Sequence, residues 1–270
     1  MTAQPPTPVP ELNAVLDELV AGIRAILGDA FIGAYMHGSF ASGGWDAYSD
    51  VDFIVAIARE LTEAEQAALQ ALHERLYQLD SPWAQSLEGS YIPIDTLRRV
   101  DRAGTPVFYF DNGVIEPIWS DHDNTLVVRW QVREHSLTLA GPDPRELIDP
   151  VPAGALRREV LETMHEWAGQ LFAEPERMNN RWYQPFALLS YCRMLHTLET
   201  GRVGSKPEGA AWALRALDPR WRGLIERALA ERPDQHLKVH QEADPDDLAA
   251  TREFIRYALA LSERARDGSR

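Results

Sequence analysis

The sequence predicts an α+β protein, with a small mixed sheet and flanking helices followed by an all-helical region. Three observations carry this. The runs FIGAYMH (31–37) and VDFIVAI (51–57) read as buried strands around a glycine-rich turn. From residue 155 onward the apolar residues recur at helical spacing instead. Between the two patterns lies GPDPRELIDPVPAG (141–154), with four prolines and two glycines. Such a stretch marks a domain boundary, which divides the chain into 1–150 and 151–270.

Taken in order, residues 1–9 are rich in proline. ELNAVLDELVAGIRAILGDA follows as a helix, with Leu12, Val15, Leu16, Leu19, Ile23, Ile26 and Leu27 on one face and Gly28 placed to end it. Thr62 and Glu65 have capping-box spacing, so a helix is expected from Thr62 to about Leu79. Ser86 to Ile94 suits a strand. VFYFDNGVIEPIW places Asp-Asn-Gly between two apolar runs and predicts a hairpin. Helices are expected over 124–135, 155–172, 182–199, 207–217, 219–231 and 246–266.

The bulk properties exclude several classes. A net charge of −14 argues against a nucleic-acid partner, which calls for a basic face, and suits a cationic small molecule. No apolar run approaches the ~18 residues of a membrane helix, and MTAQPPTPVPE lacks a signal-peptide pattern. The cytoplasm is the expected location. The single cysteine, Cys192, sits in an apolar helical stretch and reads as an inert buried thiol. His236 and His240 lie four apart without further ligands in view, and His37 reads as structural. The sequence says nothing about oligomeric state.

HGSFASGGWDAYSDVDFIVAI (37–57) holds the sharpest signal. Residues two apart on a strand share a face, so Asp50 and Asp52 present two carboxylates side by side while Val51 and Phe53 enter the core. Like charges so placed repel. A divalent cation relieves this, and Mg²⁺ is typically held by one or two carboxylates together with substrate phosphates. Gly38 lets the chain turn closely around a ligand, and the Ser39 hydroxyl with nearby backbone N–H groups can hold phosphate oxygens.

G-S-x(9)-S-D-x-D resembles the signature of the polymerase-β-like nucleotidyltransferase superfamily. The arrangement of a sheet domain followed by a helical one resembles the aminoglycoside adenylyltransferases of the streptomycin and spectinomycin type. REHSLTLAGPDPRELIDPVP resembles that family's domain junction, and TGRVGSKPEGAAWAL its helical-domain motif. The resemblance implies metal aspartates at Asp50 and Asp52, a phosphate-turn serine at Ser39, and Ser49 as a nucleotide contact or a turn cap. It implies a catalytic carboxylate at Glu88, either base or third metal ligand, with Asp95 the competing acid. Seven residues separate those two, so a continuous strand would turn them to opposite faces. Arg193 and Lys206 are implied as phosphate contacts, the latter with Trp212 in pattern and Arg202 in reserve.

The implied chemistry is Mg²⁺-dependent transfer of AMP from ATP to an aminoglycoside hydroxyl. One departure bears on the acceptor: NNRWYQP (179–185) holds no acid where streptomycin-type members have one, although Glu174, Glu176, Trp182 and Tyr183 are close in sequence. A protein hydroxyl or another metabolite as acceptor is the first alternative. A non-catalytic nucleotide-binding module is the second, against which stands the presence of Asp50, Asp52 and Glu88 together.

Overall fold

The computed structural model describes residues 5–47, 49–231 and 238–268. The chain divides into two compact units, residues 1–45 with 49–151 and residues 46–48 with 152–270.

The first unit is built on a sheet of six strands in the order β5-β4-β3-β2-β1-β6. These are β1 (Phe31–Met36), β2 (Val51–Ile57), β3 (Leu87–Pro93), β4 (Val107–Phe110), β5 (Ile118–Ser120) and β6 (Leu137–Ala140). Strands β2 and β3 run parallel and the other neighbours antiparallel, so the sheet is mixed, as expected. Alternation sorts the side chains by face. Val51, Phe53, Val55 and Ile57 pack with the apolar faces of α1 (Pro10–Leu27) and α3 (Glu63–Tyr77). Tyr35, Ile54, Ala56 and Ile92 face the other way. There they meet Leu97 of α4 (Ile94–Arg98), Val132 of α5 (Leu126–His135) and Leu147 of α6 (Pro144–Leu147).

Local signals set the element ends. Gly28 stops α1 at positive φ, and Thr62 with Glu65 forms the expected capping box of α3. Two readings need correction. Strand β6 was not anticipated: its four residues are too short to show a period, yet it pairs with β1 and closes that edge. The hairpin does not turn on Asp-Asn-Gly as a tight loop. Tyr109 pairs with Ile118, which leaves 111–117 as a longer loop and releases Asp111 and Asn112 for other contacts.

His73 of α3 is buried between aromatic rings, 3.8 Å from the Phe110 centroid, and its Nε2 lies 2.9 Å from the Tyr91 hydroxyl. Burial pushes its pKa down from 6.5 to about 3. Within that window the unfolded chain binds a proton that the folded chain refuses, so stability falls as the solution is acidified. The loss is up to ~1.4 kcal/mol per pH unit. Urea midpoints measured from neutral pH downward are expected to fall more steeply for the native chain than for His73→Phe.

The second unit is helical: α7 (Ala153–Ala173), α8 (Tyr183–Thr200), α9 (Lys206–Ala216), α10 (Arg222–Glu231) and α11 (Pro245–Gly268). Helix α8 is its axis, buried on nearly every side through Leu188, Leu189, Tyr191 and Cys192. A Cβ on Gly209 of α9 would stand 2.6 Å from the Arg193 Cα, so glycine is what lets the two helices meet. Burial pushes the Cys192 thiol up to about 12, consistent with an inert core residue. No described helix is long and apolar enough to cross a membrane.

Candidate active site

Asp52 and Glu88 are register partners across the parallel β2–β3 pair, so their carboxylates share one face of the sheet. They stand at the beginnings of their strands, on the face that Ile54, Ala56 and Ile92 bury further along. Asp50 lies one residue ahead of β2, and the Asn112 side-chain amide donates to its Oδ1. Asp95 is elsewhere, in the first turn of α4 and outside β3.

Gly38 and Ser39 begin α2 (Gly38–Ala41), directly after β1 and His37. The His37 N–H donates to the Asp52 carbonyl at 3.0 Å, which fastens this turn to β2. Gly38 takes φ +64°, and a Cβ there would stand 1.9 Å from Asp52 Oδ2. The turn and the carboxylate are thus in direct apposition. The Ser39 hydroxyl and both His37 ring nitrogens are buried with no hydrogen-bond partner among the described residues. Leaving such groups unpaired is costly, and a ligand's oxygens would satisfy the serine. Gly38→Ala is expected to cost ~1–3 kcal/mol of stability through the left-handed backbone. Displacing Asp52 should also weaken MgATP binding, which calorimetric titration would read.

Around Glu88 the structure adds residues that the sequence did not reveal. The Tyr109 hydroxyl lies 2.7 Å from Glu88 Oε1 and 3.1 Å from Asp111 Oδ1. His122 Nε2 lies 3.3 Å from the same Oε1, its ring 63% exposed while the Glu88 side chain is 12% exposed. Burial alone would push the Glu88 carboxyl upward. Hydrogen bonds from His122 and Tyr109, with the charge of His122, outweigh it and hold the group below the ordinary glutamate range. His122 is raised to about 9, chiefly by its hydrogen bond to Glu88. Buried Asp123 accepts from Ser90 Oγ at 2.9 Å, and burial pushes it up to about 6. Ligand atoms of Glu88, His122 and Asp123 all lie within 4.8 Å of one another.

Arg193 lies on α8 and Lys206 is the first residue of α9, where Ser205 and Glu208 form a capping box. The Lys206 ammonium sits 4.6 Å from the Phe186 ring centroid. Phe186 in turn stacks on Trp182 at 5.1 Å and lies 5.6 Å from Tyr183, so both of those aromatics belong to a ring cluster of the helical unit. Ser49 is buried directly ahead of Asp50. His240 is exposed, and His236 lies outside the described residues.

Residues 20–91 match the model of a nucleotidyltransferase domain, and residues 146–260 match that of the aminoglycoside adenylyltransferase C-terminal domain. The chain thus carries a nucleotidyltransferase domain followed by an aminoglycoside adenylyltransferase C-terminal domain. An aminoglycoside (3'')(9) adenylyltransferase of Shigella flexneri is 24% identical over 259 residues, covering 92% of this chain and 94% of the relative. A spectinomycin 9-adenylyltransferase of Staphylococcus aureus is 24% identical over 214 residues, covering 72% and 75%. Among solved structures, a spectinomycin adenyltransferase of Enterococcus faecialis, crystallised with ATP and spectinomycin, superposes with a TM-score of 0.68. It shares 17% identity and covers 92% of this chain and 98% of that one.

The sequence pattern pointed to Asp50, Asp52 and Ser39 and the family resemblance to Glu88, while Tyr109, Asn112, His122 and Asp123 were missed. The last four come from β4 and the segments on either side of β5, and meet the carboxylates only through the sheet. The one signal that could have found them is H-D at 122–123 just ahead of an Asn-Thr helix start.

Proposed function

We propose that the protein transfers AMP from ATP to a hydroxyl of an aminoglycoside-type antibiotic, of the streptomycin or spectinomycin kind, and releases pyrophosphate. The two matched domains and the activities named for the chain's relatives support this reading. The observation that carries it is the Asp52–Glu88 pair in register, apposed to a glycine-serine turn whose buried hydroxyl has no partner among the described residues.

Asp50, Asp52 and Glu88 offer hard oxygen donors, a set that fits Mg²⁺. When bound, the ion neutralises charge on the α-phosphate and the departing pyrophosphate. The protein's part is to orient and to accept a proton. Ser39 holds a phosphate oxygen, with Gly38 and Ser49 shaping the turn around the nucleotide. Tyr109 and His122 both meet Glu88 at Oε1, which leaves Oε2 for the acceptor. A carboxylate held below its usual range is ionised at neutral pH and ready to take the hydroxyl proton as the oxygen attacks phosphorus. The new O–P bond forms as the bond to pyrophosphate breaks, and the proton rests on Glu88. Arg193 and Lys206 are assigned to the triphosphate as charge-assisted donors. Lys206→Ala is accordingly expected to raise the KM for ATP about tenfold or more, for the loss of ~1.5–3 kcal/mol from one charged hydrogen bond.

Pyrophosphate release from MgATP, assayed against streptomycin, spectinomycin and other aminoglycosides, tests the reading. Release that requires one of these drugs and vanishes in Asp50→Asn supports it. Binding of MgATP with no drug-dependent release would overturn the assignment of the acceptor.

A further inference from the structure

Glu88, His122 and Asp123 form a three-sided group whose composition differs from that of the aspartate pair. An imidazole nitrogen with two carboxylates is a donor set for borderline divalent ions such as Zn²⁺ and Co²⁺, whereas Mg²⁺ favours oxygen alone. Three protein ligands with one position left open is the pattern of accessible zinc centres.

The outer contacts of such a centre are already in place. Ser90 Oγ holds Asp123 through Oδ2 at 2.9 Å, and Tyr109 holds Glu88 through Oε1 at 2.7 Å, so each carboxylate is oriented and keeps its second oxygen available. Hydrogen bonds of this kind fix ligand geometry in metal sites. Ligand atoms around a tetrahedral ion stand ~3.4 Å apart for bonds of ~2.1 Å. The three ligand atoms here lie within 4.8 Å of one another, and the His122 side chain is 63% exposed. A second observation is independent of the cluster. His37 is 3% exposed, neither ring nitrogen has a hydrogen-bond partner among the described residues, and it lies close enough for the charges of Asp123, Glu88 and His122 to act on it. The buried His37 imidazole thus stands near the group without being one of its three ligands.

We propose that Glu88, His122 and Asp123 form a binding site for a Zn²⁺-class divalent ion, separate from the Asp50–Asp52 pair and sharing only Glu88. On the proposed adenylyl-transfer reading, an ion seated there engages the carboxylate that accepts the hydroxyl proton, so occupancy is inhibitory.

The test uses the full chain freed of metal and titrated with Co²⁺ alone, followed by visible absorption, and with Zn²⁺ alone, followed by calorimetry. One ion per chain is expected, with Co²⁺ bands of a nitrogen-containing low-coordinate site. His122→Gln and Asp123→Asn should each weaken binding at least about tenfold, and Asp50→Asn should leave it unchanged. The exposure of the His122 ring makes His122→Gln the variant least able to disturb folding. Absence of binding, or equal binding in His122→Gln and the native chain, would overturn the site. These readouts need neither ATP nor a drug, so they stand whatever the outcome of the transfer assay. In that assay Zn²⁺ added at the concentration that fills the site is expected to suppress turnover in the presence of excess Mg²⁺. Undiminished turnover with the site filled would overturn the inhibitory role alone.

Discussion

Glu88→Gln is expected to lower kcat for AMP transfer by about 10²–10⁴-fold, the usual contribution of a positioned general base. Affinity for MgATP should change far less, because glutamine keeps the shape and an oxygen that can accept from Tyr109. The contrast lies in Asp95→Asn. That side chain begins α4, outside the strand that sets Glu88 beside Asp52, so its rate should stay within a few-fold of native. Single-turnover kinetics with a saturating drug and ATP would separate the two variants. A native rate in Glu88→Gln would remove this carboxylate from the chemistry.

Arg129→Leu is the substitution expected to cost most stability. Arg129 is fully buried on α5, 0% exposed, and donates to Asn124 Oδ1 and to the carbonyls of Arg99 and Thr96. Asn124 passes the restraint on, donating to the carbonyls of Arg102 and Thr105. Leucine fills part of the volume and takes this donor from Asn124 Oδ1 and the Thr96 carbonyl, each worth ~1–3 kcal/mol in desolvation, while the Arg99 carbonyl keeps the Arg102 N–H. A total loss of ~3–5 kcal/mol is expected, against the 5–15 kcal/mol typical of folded proteins. A fall in Tm of about 10 °C or more would register it. The same network anchors the segment that carries His122 and Asp123, so any folded fraction should also bind Co²⁺ less well.

The fates of particular residues explain how far the sequence could be read. Asp50 and Asp52 stood out because a period-2 strand makes a charge conspicuous among Val51, Phe53 and Val55. The helical unit was equally legible: α7 and α9 to α11 expose a polar face and bury a 3.6-residue stripe, α8 is buried on nearly every side, and long elements declare themselves. Arg129 was invisible for the opposite reason. One arginine on a helix reads as a solvated cation until the chain folds carbonyls around it. Asn112 looked like a turn former, since Asn-Gly commonly is one, yet its side chain is engaged by Asp50. His122 and Asp123 reach Glu88 through strand order alone, which no local pattern encodes. Strand β6 escaped notice because pairing with β1, more than its own four residues, makes it a strand.

The proposed reaction moves an adenylyl group from ATP onto a drug hydroxyl. Incubation of the purified protein with ATP labelled at the α-phosphate, Mg²⁺ and either streptomycin or spectinomycin tests it most directly. Label is expected to become covalently attached to one of these drugs, with pyrophosphate released in equal amount, and Asp50→Asn and Glu88→Gln should give no transfer. Label that stays on nucleotide with both drugs, in protein that binds MgATP, would contradict it.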